Sequence, residues 1–355
     1  MNIPAKITYL IISLSLALVQ SPAGKEISKE VSRARDLILQ QKHAEALAAL
    51  EPLAASNPSD VLVNELRSLA LLELHRYGEA KVIFEKLKLL EPRSEAHRIG
   101  LARALEMLGN HDGAAAELEG ALQLNATNPD ALFSIGQIEV RRGNDTKAKD
   151  YFTKSLVHAE WSNTAPGAHY ALSQIAARAG DAAESRRQRD LYHIKFKWAE
   201  KRSAYEKRIA INSGDASAFR ALAALYREAG DGKSAVRLLE GVARAMPLDL
   251  LLKIEFAESK ELASDRKGAM SAAEDALKVN ANFLPALRWK AHALVQSSEL
   301  LEALQILQRA ADLDPNASAE PKLRGVTDEL IVKLQNSNHP DILEAAKKLR
   351  KSLGK

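Results

Sequence analysis

The sequence predicts an all-α chain built from pairs of helices that recur along its length, and three observations carry this. Sliding the 355-residue chain against itself meets Ala46, Ala80, Ala114 and Ala148 at a 34-residue step. Ala235, Ala269 and Ala303 continue the column after an insertion of about 16 residues, with Ser185 in the same role just before it. Twelve residues ahead of each position lies Ala34, Ser68, Ala102, Gly136, Ser173, Ala223, Ala257 or Ala291, a column of small residues only. Such a column marks where two helix backbones approach closely. Composition agrees: 46% hydrophobic but only 5% aromatic suits thin, closely packed helices.

Residues 1–23 come first and stand apart. Lys6 is followed by an uncharged run from Ile7 to Val19 and then by the small residues Ser21 and Ala23, the pattern of a secretory signal peptide cut after Ala23. The run would make a helix of only about 20 Å, short of the roughly 30 Å hydrocarbon core. Export to a periplasm or beyond is therefore expected, with an uncleaved inner-membrane anchor as the alternative. The chain contains no Cys, which excludes thiol catalysis, thiolate metal sites and disulfides.

The repeats follow, each expected to hold two antiparallel helices. Gly109, Gly143, Gly180 and Gly230 fall between the small column and the Ala column, where one helix must end and the next begin. Leu50, Phe84, Leu118, Phe152, Leu239 and Leu307 come one turn after the Ala column and extend the same apolar face. Pro58, Pro92, Pro247 and Pro315 close their second helices. Asn128 is a natural N-cap before Pro129, and Asp181 with Glu184 has capping-box spacing. Repeats one to four occupy 27–162, a fifth with an extended basic helix 163–215, repeats six to eight 216–317, and capping helices 318–355.

The insertion departs from plain stacking. Residues 186–208 hold nine Lys or Arg against three Asp or Glu, with Tyr192, Phe196, Trp198 and Tyr205 among them. A basic surface formed by Lys195, Lys197, Lys201 and Arg202 would suit an anionic membrane or an acidic partner. The competing reading packs the aromatics on the sixth repeat and leaves the cations in water.

Enzyme signatures are missing. GDGKS at 230–234 lacks the first glycine of a phosphate-binding loop, the nine His show no His-Glu-x-x-His spacing, and no Ser has a nucleophile-elbow context. No cofactor or metal is expected. A net charge of +4 over this length, evenly interspersed, does not call for nucleic acid.

The 34-residue period, the early small residue, the glycine turn, the Ala and the late aromatic or Leu followed by Pro resemble tetratricopeptide repeats, most clearly at 129–160 and 284–315. The resemblance implies a right-handed α-α superhelix of about eight helix-turn-helix repeats that docks a protein or extended peptide without catalysis. It also implies that first helices line a concave groove, on which Arg103, Phe133, Arg141, Tyr170, Arg178, Arg220 and Arg227 become the candidate partner-binding residues. Planar guanidiniums beside aromatics suit carboxylates and extended chains. The bland alternative is a solvated face with pairing inside each helix. The Lys and Asn clamp of chaperone-docking relatives is missing, since Phe133 with Gln137 and Tyr170 with Gln174 stand at its positions. Two functions follow: an exported docking adaptor, or an accessory subunit of a cell-envelope export or polysaccharide-assembly machine that uses the basic segment.

Overall fold

A computed structural model describes residues 28–313, 321–335 and 339–352. The expected signal segment, its expected cleavage site and Pro315 lie outside them. The described residues form 18 helices and no strand. In order these are α1 (Lys29–Leu39), α2 (His43–Ser56), α3 (Val61–Glu73), α4 (Tyr77–Leu90), α5 (Glu95–Met107), α6 (His111–Leu124), α7 (Pro129–Arg141), α8 (Asp145–His158) and α9 (Ala165–Arg178). The 30-residue α10 (Ala182–Ile211) follows. The rest are α11 (Ala216–Glu228), α12 (Gly232–Ala245), α13 (Leu250–Leu262), α14 (Arg266–Val279), α15 (Leu284–Gln296), α16 (Leu300–Leu313), α17 (Pro321–Gln335) and α18 (Pro340–Ser352). Contacts divide the chain into one unit ending at Gly214 and another beginning at Asp215.

Local chemistry sets the helix starts. Ser28, Asp60, Ser94 and Asn128 cap α1, α3, α5 and α7 by accepting from first-turn amides. Asp215, Asp231, Asp249 and Asp265 do the same for α11 to α14, which satisfies amide groups that a helix start leaves open. Asp181 accepts from the Glu184 amide at 3.0 Å, but the Glu184 carboxylate turns to Gln188 and Arg187, so only half of the expected box forms. Pro58, Pro92 and Pro247 lie two residues past the ends of α2, α4 and α12.

Within each unit, consecutive helices pack on one another. The small column sits under the bulkiest side chains: a Cβ at Gly136 would meet the fully buried Phe152 ring at 2.7 Å. Gly109, Gly143, Gly180 and Gly230 all take positive φ at the inter-helix turns. Gln41, His75, Ser264 and Ser298 adopt the same conformation in the other turns, although they have side chains.

One contact in the first unit breaks the nearest-neighbour pattern. Helix α10 continues unbroken past its hairpin with α9, ends at the Asn212 C-cap and reaches α1. At 1.5 Å per residue it is about 45 Å long, twice its neighbours.

Candidate docking surface

The candidate arginines stand at the ends and faces of first helices, where adjacent repeats come together. In the first unit, Arg141 closes α7 and places Nη2 2.5 Å from Glu106 of α5. Arg178 closes α9 and forks onto Asp145 at the start of α8, at 2.6 and 2.8 Å. In the second unit, Arg220 of α11 grips Glu255 of α13 at 2.8 and 2.9 Å and adds Asp249 at 2.9 Å. Arg227 lies 3.5 Å from Glu258. These partners are about one repeat apart in sequence, so the pairing runs between repeats rather than within helices. The Arg178 fork holds Asp145 below the usual carboxylate range, and the Glu255 fork raises Arg220.

Arg141 and Arg178 remain accessible, with 44% and 49% of their side chains exposed. Exposed single-contact pairs contribute little to stability, and the two-pronged Arg178–Asp145 fork contributes more. Each of these four guanidiniums carries a carboxylate from a neighbouring helix, where the alternative reading had the pairing inside each helix.

The two aromatics part company. Phe133 is half-buried and packs on the core: its ring lies 5.6 Å from Phe152 and rests on Gly167. Tyr170 is 43% exposed and begins a run of rings through Tyr192, at 5.7 Å, to Phe196, a further 5.6 Å away.

The basic surface also needs correction. Lys197 and Lys201 are exposed, but Lys195 and Arg202 are only 3% and 8% exposed. They face inward because α10 lies against the first unit. Lys195 Nζ reaches Glu160 at 2.8 Å and sits 3.2 Å from the Trp161 ring centre, while Trp198 packs on Trp161 at 5.6 Å. Arg202 donates to Asn163 at 2.8 Å and to Glu206 at 2.7 Å. The observed ring partners of Tyr192 and Trp198 thus include Tyr170 of the fifth repeat and Trp161 of the loop before it.

Charges from four helices are linked through Arg103 and Asp130. Burial pushes the Asp130 carboxyl up, and Arg103 of α5 and Arg202 of α10 pull it down. Arg103, half-buried, is lowered by burial and held charged chiefly by Glu73, then by Glu106 and Asp130. Burial raises Glu73 to about 7 against the pull of Arg103, and its Oε1 has no hydrogen-bond partner.

Among the described residues, Glu65, Glu91 and His97 have spacing that could hold a cation. His97 already donates from Nε2 to Glu65 at 2.7 Å, with Nδ1 4.0 Å from Glu91, and the arrangement is equally that of an imidazole held between two carboxylates. An open cleft of about 420 Å³ is lined by Glu119, Glu139, Arg142, Lys147, Asp150 and Tyr151. Its Arg142 is taken up by Glu139 and Asp112.

The tetratricopeptide repeat family model matches residues 31–87 and 99–163, and these stretches carry repeats of that type. No curated protein matches the chain in sequence. Among solved structures, the chain is similar to the APC/C hetero-tetramer Cut9-Hcn1, at 15% identity over 79% of this chain and 52% of that one, with a TM-score of 0.44. It therefore spans about half the length of that chain. It is also similar to a tetratricopeptide repeat protein from Parabacteroides merdae ATCC 43184, at 13% identity over 92% and 98% of the two chains and a TM-score of 0.33. A third is TTC0263, a thermophilic TPR protein in Thermus thermophilus, at 17% identity over 55% and 96% and a TM-score of 0.39.

Proposed function

We propose that this chain is a noncatalytic, exported scaffold that docks a protein or extended peptide along its first helices. The observation that carries the reading is the accessible row formed by Arg141, Arg178 and Tyr170, in which exposed guanidinium pairs recur one repeat apart beside an exposed ring. An extended chain meets such a row with carboxylates or backbone carbonyls on the forks and an apolar side chain on the ring. In the second unit Arg220 and Arg227 carry less exposed pairs of the same kind. The signal-like N-terminus supports a periplasmic or secreted setting.

The exposed outer side of α10, with Phe196, Lys197 and Lys201, supports a second reading. In it the chain is an accessory subunit of a cell-envelope machine, and this side rests on a partner or an anionic membrane. Two variant sets separate the readings in affinity capture from the native host: Arg141→Ala with Tyr170→Ala, and Lys197→Ala with Lys201→Ala. Loss of partner with the first set alone supports the groove, and loss with the second alone sinks it in favour of the basic face.

A further inference from the structure

The two halves of α10 are held by different forces. Its first half lies along α9 as the second helix of an ordinary repeat, with Ser185 buried and Gln188 accepting from His169 at 2.6 Å. The buried residues of its second half, 195–211, are mostly charged. The buried apolar residues of that stretch are Trp198 and Ala199, and they alternate with buried Lys195, Arg202 and Glu206. Desolvating such charges costs about as much as their attraction returns. Glu206 also keeps one buried oxygen, Oε2, without a hydrogen-bond partner. A helix seated in this way can leave at modest cost while the apolar hairpin beneath it stays closed.

The seat has a definite chemistry. Glu160 and Asp130 supply negative charge, Asn163 an acceptor, and Trp161 a ring face that takes both a cation and an indole. Residues Lys195, Trp198, Arg202 and Glu206, at steps of three and four, present the complement on one helical face. We propose that this part of the first unit is a binding site for a basic amphipathic helix bearing Trp. Residues 195–211 are its resident occupant, and an external helix of the same chemistry binds by displacing them. The inference deepens the docking reading by naming a partner class, but it does not require the Arg141–Tyr170–Arg178 row to be used.

A tethered occupant competes at an effective concentration of the order of millimolar, so it suppresses binding of an identical free peptide until its own contacts are removed. The test uses a fluorescein-labelled peptide of residues 193–211 and anisotropy titration of the full chain. Lys195→Ala with Arg202→Ala, which empties the seat, is expected to bind the peptide at least ~10-fold more tightly than the wild type. Adding Glu160→Lys is expected to abolish that gain. Equal or absent binding by the wild type and the folded double variant would overturn the proposal.

Hydrogen exchange on the wild type tests it without any variant. Amides of 199–209 are expected to exchange at least ~100-fold faster than those of 184–192 in the same helix, through local opening. One common slow rate along all of α10 would identify a fixed brace and refute a displaceable helix. Both experiments use the chain's own segment, so their failure is distinct from failure of host-partner capture.

Discussion

Glu73→Gln offers a quantitative test of the electrostatics linked to this seat. Glu73 ends α3 half-buried, with Oε1 unpartnered, and burial outweighs the pull of Arg103 to raise it from 4.5 to about 7. A carboxyl raised in the folded state favours folding while protonated. Its stabilising contribution is complete below the unfolded value near 4.5 and is lost as pH rises through about 7. At 1.36 kcal/mol per pH unit the full rise corresponds to about 3 kcal/mol, and partial solvation discounts this to about 1–2 kcal/mol. Glutamine has the same shape without the charge, and Arg103 keeps Glu106 and Asp130 nearby. The variant is therefore expected to unfold at higher urea concentration than the wild type at pH 8.5, by about 1–2 kcal/mol, and to match it at pH 5. Far-UV circular dichroism at both pH values measures this. An equal change at the two pH values, or a loss at pH 8.5, would refute the assignment.

Three further outcomes follow from the packing. Phe152→Ala empties a fully buried site under α7 and is expected to cost about 3–5 kcal/mol in urea unfolding. Gly136→Ala adds a methyl at 2.7 Å from that ring, so overpacking of about 1–3 kcal/mol should exceed the roughly 1 kcal/mol gain in helix propensity; a more stable variant would contradict the contact. Asp60→Ala removes the acceptor 2.9 Å from the Val63 amide and should cost about 1 kcal/mol, most of it restored by Asp60→Asn.

The repeat pattern was legible because backbone approach and turn geometry restrict residue type. Gly136 and Ala148 recur at fixed spacing since larger side chains would clash there, and Gly143 and Gly180 mark turns of positive φ. That signal was silent at Gln41, His75, Ser264 and Ser298, which take the conformation without glycine. The Arg178–Asp145 and Arg220–Glu255 pairs were hidden because they join helices of different repeats, a relation that spacing within one helix does not display. The inward face of α10 was written in the chain as Lys195, Trp198, Arg202 and Glu206. Charged residues at such positions ordinarily indicate a solvated face, and Glu160, Trp161 and Asn163 of the loop before α9 help turn this one inward.

The most direct test of the docking account is photocrosslinking in the native host from a photoreactive residue at Tyr170, with Lys149 on the exposed side of α8 as control. Capture of a defined partner from Tyr170 and not from Lys149 is the predicted result. Equal capture at the two positions, or none at either, would contradict docking along the first helices.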